Sequence, residues 1–193
     1  MDHAVRPVRA EEWLAVKDLR LAALRDPMAP LAFLESYEEA SAKTDLFWQR
    51  RVLDAVKGKT SRQFVAEAPD AALSGTVTVL VEEPGTADHY GTVVKERQGH
   101  VVGVFVRPER RGQGLIQALL DAALEWAWSL EGLDRIRLFV DERNTHAERV
   151  YLRAGFVHSG HSAAAPGGAD ARDLEMVLYR PGSPGSPGSA GPA

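Results

Sequence analysis

Residues 104–120, VFVRPERRGQGLIQALL, join an apolar strand to a long amphipathic helix through a turn of arginines and glycines. These residue types suit anion chemistry. The first N–H groups of a helix lack partners inside it and carry about half a positive charge. Gly112 and Gly114 remove side chains, so backbone can come close to a ligand. Arg107, Arg110 and Arg111 add positive charge beside it. Such a turn predicts a phosphate or pyrophosphate ligand. The spacing excludes two common nucleotide sites. A dinucleotide fingerprint needs a third glycine where Gln117 stands, and a P-loop ending in Gly58-Lys59-Thr60 needs glycine in place of Leu53.

A second constellation lies downstream: Asn144 and Ala147, then Tyr151, then Gly155-Phe156. Asn144 and Tyr151 stand two helical turns apart, so both can face one groove. A tyrosine there either gives a proton during a reaction or anchors its helix in the core. Residue type alone leaves both readings open.

These two turns must be positioned by a scaffold, and the composition allows one. The chain has 193 residues, 45% of them hydrophobic and 26% charged, enough for one domain with a real core. A net charge of -4 argues against a general nucleic-acid binder. The absence of cysteine excludes disulfides, a thiolate nucleophile and Cys-ligated metal. There is no signal-peptide pattern near the start and no apolar run long enough to span a bilayer, so the expectation is a cytoplasmic protein with no membrane partner.

Period and punctuation predict strands at 4–8, 64–68, 76–82, 100–106, 135–140, 156–158 and 173–178, with helices over 11–25, 45–57, 115–130 and 145–153. In the second helix Leu46, Leu53 and Val56 are the expected apolar face, Thr44 the N-cap and Gly58 the terminator. Residues 159–172 read as a loop. The near-continuous apolar run HVVGVFV suits a central strand covered on both faces. The order predicts an α/β fold with a mixed sheet and helices, in a domain over residues 1–180. Residues 181–193, PGSPGSPGSAGPA, are expected to form a flexible Pro/Gly/Ser tail.

With both turns placed on strand–helix junctions, the sequence resembles the GCN5-related N-acetyltransferases, the GNAT family. Arg111-Gly112-Gln113-Gly114-Leu115-Ile116 is similar to its Q/R-x-x-G-x-G/A signature and departs from it at Ile116. Asn144, Ala147, Tyr151, Gly155 and Phe156 fill every fixed position of N-x-x-A-x-x-x-Y-x-x-x-G-F. The resemblance implies a mostly antiparallel mixed sheet flanked by helices, and acetyl-CoA as cosubstrate with no metal. It implies that Arg111, Gly112, Gln113, Gly114, Leu115 and Ile116 cradle the pyrophosphate. Val104, Phe105 and Val106 would bind the pantetheine arm through backbone, Asn144 would contact the CoA arm, and Tyr151 would be the general acid. It also implies a small-molecule or peptide amine acceptor and admits a homodimer. The rival reading is a non-catalytic acyl-CoA-binding or sensing module of the same fold.

The resemblance leaves the general base open, since HVVGVFV holds no carboxylate. Glu82, Glu83, His100, Asp141 and Glu142 are candidates, each with a plainer reading as a solvated strand-end charge. Acceptor choice is expected from residues 21–57 and the segments 84–99 and 159–172. There Asp26, Glu35, Glu38 and Glu39 could attract a cationic amine or simply solvate helix ends. His158 and His161 lack an evident third metal ligand, and the four tryptophans suit core or rim positions.

Overall fold

The computed structural model describes residues 3–165 and 171–183. In chain order its elements are β1 (Ala4–Pro7), α1 (Trp13–Leu24), α2 (Tyr37–Ser41), α3 (Asp45–Lys57), β2 (Ser61–Glu67), β3 (Leu73–Glu82), β4 (Gln98–Val106), α4 (Leu115–Ser129), β5 (Arg135–Asp141), α5 (Thr145–Arg153), β6 (Val157–Ala164) and β7 (Arg172–Tyr179). The strands make one mixed sheet of order β1-β2-β3-β4-β5-β7-β6. The pairs β1–β2, β2–β3, β5–β7 and β6–β7 are antiparallel. β4 and β5 are parallel, registered at Gly99↔Ile136 and His100↔Arg137. A parallel pair needs a crossover, which α4 supplies. Among the described residues no helix is long and apolar enough to cross a membrane.

The chain divides into two compact units, Met1–Leu80 with Val101–Leu124, and Val81–His100 with Glu125–Ala193. In the first, α1, α3, β2 and β4 close on a core of Val16, Leu19, Val52, Val65 and Phe105 with their neighbours. Helix α3 starts where Thr44 accepts the Phe47 N–H at 3.3 Å and stops at Gly58, whose φ of 64° suits glycine. Its buried face differs from the expected one. Trp48, Val52 and Ala55 are buried, whereas Leu46 and Leu53 are 53% and 44% exposed. Trp48, the largest fully buried side chain, packs with Leu24 and Ala40 and so sets the rotation of the helix. Gly75 permits close strand packing: a Cβ there would lie 2.9 Å from the Phe105 carbonyl oxygen and 3.1 Å from Leu119. The short helix α2, not expected from the sequence, begins in a capping box between Ser36 and Glu39.

In the second unit Ile136, Leu138 and Val140 of β5 are buried, as their alternation predicts. The expected loop over 159–172 is replaced in part by β6, which runs to Ala164 and pairs with β7 across a bulge between His158 and Ser162. Val157 to Ala164 is mostly small and polar, so its own propensity signals no strand; pairing with β7 imposes one. Of the expected tail, Pro181 to Ser183 form a turn in which the Ser183 N–H donates to the Arg180 carbonyl at 3.0 Å. Residues 184–193 lie outside the described residues.

Candidate functional site

The anion turn belongs to the first unit and is built by three anchors. The Arg107 N–H donates to the Ser74 carbonyl at 2.8 Å, and its guanidinium donates to the Leu73 carbonyl at 2.9 Å. Pro108–Arg110 then makes one 3₁₀ turn. Arg111 is fixed from two sides: Nε donates to the Val106 carbonyl at 3.1 Å, and Nη2 donates to Asp26 at 2.5 Å. Gly112 and Gly114 take φ of 76° and 75°, the left-handed region where a side chain is strained. Nothing lies within 4 Å of where their Cβ atoms would stand. Gln113 is exposed between them, Leu115 is buried at the start of α4, and Ile116 is half-buried. A loop of this conformation with open space above it, opening a fifteen-residue helix, fits a phosphate group.

Before this turn, Val104 is half-buried while Phe105 and Val106 are buried. Gly103 takes φ 64° in the middle of β4, the conformation of a bulged residue. Sequence reading missed this left-handed residue, although a lone glycine inside HVVGVFV was its signal.

Asn144 and Tyr151 belong to the second unit, on the α5 segment. The Asn144 side chain accepts the Ala147 N–H at 3.2 Å and so caps the helix. Its own N–H donates to the Asp141 carbonyl at 2.8 Å. The far end of α5 explains the spacing of Tyr151, Gly155 and Phe156. The Gly155 N–H donates to the Leu152 carbonyl at 3.1 Å and the Phe156 N–H to the Tyr151 carbonyl at 3.0 Å. Gly155 has φ 95°, and the rings of Tyr151 and Phe156 meet edge-on with centroids 6.2 Å apart. This is a complete Schellman closure, with its apolar contact between the last-turn residue and the residue after the glycine. It holds Tyr151 by backbone and ring. The Tyr151 hydroxyl has no hydrogen-bond partner among the described residues, and burial pushes it up to about 12. It therefore keeps its proton at neutral pH.

The base candidates separate by environment. Glu83 is exposed and pairs with Arg97 at 3.1 Å, as a solvated strand-end charge should. The Glu142 carboxylate accepts the exposed Arg172 N–H at 3.1 Å. The solvated reading fails for His100 and Asp141, whose side chains are buried, and for Glu82, whose side chain is only 10% exposed. Glu82 takes hydrogen bonds from Gln98 at 2.8 Å and Arg137 at 2.9 Å, and lies 2.8 Å from the Nδ1 of His100. Burial alone would raise its carboxyl. The bond and charge of His100, the charge of Arg137 and the Gln98 bond outweigh that and hold it at about 2. Arg143 holds Asp141 low, chiefly through their hydrogen bond. Carboxylates this acidic are poor bases near neutral pH.

Three of the four acidic residues expected near an acceptor are engaged too, and the fourth, Glu38, is exposed on α2. Asp26 is buried against Arg111, Glu35 pairs with Arg20 at 3.0 Å and with Lys43, and Glu39 caps α2. Within the stretch where the sequence places acceptor choice, α3 borders a cavity of about 530 Å³ with Leu46, Phe47, Arg50 and Arg51. His158 pairs with Glu148 at 2.8 Å and stands with His161 in β6. Of the tryptophans, Trp48 is core.

Comparison with known proteins bears on the family and the fold. The model of the acetyltransferase (GNAT) family matches residues 19–156. A mycothiol acetyltransferase of Salinispora tropica is 40% identical over 79 residues, which is 41% of this chain and 23% of that protein. A spermidine N(1)-acetyltransferase of Vibrio cholerae is 33% identical over 58 residues, 30% of this chain and 34% of that protein. These matches thus span about a third or less of the curated relatives' own length. A GNAT-family acetyltransferase from Streptococcus pneumoniae superposes with a TM-score of 0.72 at 18% identity, covering 93% of this chain and 100% of that one. An N-acetyltransferase from Thermoplasma acidophilum, solved in complex with coenzyme A, gives 0.70 at 14% identity over 93% and 100%. With the family model spanning most of the chain and the same fold in these structures, the chain belongs to the acetyltransferase (GNAT) family.

Proposed function

We propose that the chain is an N-acetyltransferase that moves an acetyl group from acetyl-CoA to a primary amine by direct attack in a ternary complex. The observation that carries this reading is the turn from Arg111 to Ile116. Two glycines there hold left-handed backbone under open space, and an arginine fixed by Asp26 and the Val106 carbonyl flanks them. In this reading Arg111, Gly112, Gln113, Gly114, Leu115 and Ile116 hold the pyrophosphate. The backbone of Val104, Phe105 and Val106 holds the pantetheine arm, and Asn144 contacts the CoA arm from the start of α5. Acetyl-CoA supplies an acyl group activated as a thioester.

The chain's own residues then have three tasks. A backbone N–H near Phe105 or Val106 polarises the carbonyl. Tyr151 holds a proton, since its hydroxyl titrates at about 12, and donates it to the departing thiolate. The amine arrives neutral or loses its proton to ordered water, because Glu82 and Asp141 are too acidic to take it. Relatives named for mycothiol and spermidine support a small-molecule acceptor.

Two measurements test the reading. Calorimetric titration with acetyl-CoA should show binding that Arg111→Ala weakens at least tenfold. In a screen for CoA release over an amine panel, Tyr151→Phe should lower kcat by about 100-fold or more, the range of general acid catalysis, while acetyl-CoA affinity holds. Absence of acetyl-CoA binding removes the reading. Binding without turnover on any amine, and with Tyr151→Phe indistinguishable from wild type, favours the sensing module instead.

A further inference from the structure

Helix α3 brings two arginines, Arg50 and Arg51, to the wall of the 530 Å³ cavity. A volume of about 300–1,000 Å³ is usual for a small-molecule site. Leu46 and Phe47, exposed apolar residues of the same helix, give the cavity an apolar side. The carboxylates nearby are already taken. Asp54, in the same wall, is held by Lys57 at 3.1 Å, and Glu35 is shared by Arg20 and Lys43. Among the described residues neither Arg50 nor Arg51 forms an ion pair. The Arg51 guanidinium lies 5.9 Å from the ring centroid of Trp48.

Arg51 is the more telling of the two. Arg50 is exposed, whereas Arg51 is half-buried and borders a second small cavity of about 20 Å³ that also touches Trp48, Gln63 and Thr78. Burial and the neighbouring charge of Arg20 push its guanidinium below the ordinary arginine range, against the pull of Glu35. The indole N–H of Trp48 is buried and has no acceptor. A guanidinium and an indole N–H can only donate hydrogen bonds. A buried donor left without an acceptor is costly, and the Trp48 N–H is one, while the half-buried Arg51 guanidinium beside it presents donors that no carboxylate of the described residues takes up.

We infer that the acceptor carries a carboxylate on the same molecule as its amine, and that Arg51 binds that carboxylate in the α3 cavity. The inference rests on the acetyltransferase reading above and gives its acceptor a chemical class, an amino acid with an apolar body. A planar guanidinium matches a planar carboxylate through two parallel hydrogen bonds. Leu46 and Phe47 take the carbon skeleton, and Arg50 adds attraction from the rim. A polyamine is less favoured at the same site, since its remaining ammonium groups meet two arginines against one carboxylate, Asp54, which it would share with Lys57.

The test is a matched panel: α- and ω-amino acids of two to six carbons, the corresponding amides, and the corresponding diamines, assayed by CoA release. The expected result is a kcat/KM for at least one acid tenfold or more above its amide and diamine. Arg51→Gln should erase that advantage through KM, and Arg51→Lys should keep part of it. Equal or better turnover of the amide or diamine overturns the inference and leaves the acetyltransferase reading standing. So does an acid preference that survives Arg51→Gln. If no amine turns over, the acids are titrated into CoA-saturated protein by calorimetry. Binding lost in Arg51→Gln supports the inference, and no binding to wild type overturns it. Failure of acetyl-CoA itself to bind the wild type removes the underlying reading. Should Arg51→Gln fail to fold, the Arg51→Lys and Arg50→Gln variants carry the comparison.

Discussion

The molecule holds two arginine clusters, and they are handled in opposite ways. In the second unit Arg137 is surrounded by acids: it meets Glu82 and Asp88 at 2.8 Å and Glu175 at 3.3 Å. Arg135 adds a bond to Glu175 at 3.0 Å and another to Gln98. Tyr90 donates to Asp173 at 2.7 Å, and His89 stacks on His100 with centroids 4.7 Å apart. In this cluster donors and acceptors are matched, as a buried polar network must be if it is to hold together. In the first unit Arg51 is half-buried, yet among the described residues it forms no ion pair. A matched cluster explains itself as structure. An unmatched one points outward, to a molecule that completes it.

The contrast can be broken from either side. The largest effect is expected at Arg137→Met, which leaves Glu82, Asp88 and Glu175 short of their shared partner. Breaking a buried ion pair by removing one side costs about 3–5 kcal/mol, and urea denaturation should read a loss of that size. Next comes acid. Glu82 titrates at about 2 in the folded protein, below the ordinary carboxyl value of 4.5. Its contribution is present above pH 4.5 and is lost as pH falls through about 2, and it amounts to roughly 3 kcal/mol. Stability measured from pH 5 to 2 should fall accordingly, and Glu82→Gln should flatten that limb. The smallest effect is expected at Arg51→Gln. Removing a cation that has no partner should change unfolding stability by about 1 kcal/mol or less, the scale of ordinary surface substitutions. A loss at Arg51 as large as that at Arg137 would erase the contrast and make Arg51 a structural residue.

Local chemistry was legible wherever a residue's role is decided by its neighbours in the chain. Thr44 and Gly58 bound α3, and Asn144 and Gly155 bound α5, because capping and left-handed backbone are short-range properties. The same holds for the turn at Arg111 and for Tyr151 before Gly155-Phe156, whose spacing is that of a helix closure. Rotation of α3 was not legible. Leu46, Leu53 and Val56 make as good a helical stripe as Trp48, Val52 and Ala55, and only packing against Leu24 and Ala40 chose between them.

The sequence by itself therefore determined where the capped helices start and stop, the mixed α/β arrangement, and the two turns that carry the family resemblance. Those follow from periodicity, caps and glycine conformation, all of which act over a few residues. The tertiary structure decided which charges are spent and which are left over. Glu82 and His100 read as solvated strand ends until Arg137, from a distant strand, was brought to the same carboxylate. Asp26 and Glu35 read as acids that either attract an amine or solvate helix ends until Arg111, Arg20 and Lys43 occupied them. Ion pairing depends on distances in space between residues far apart in sequence, and only the fold sets those.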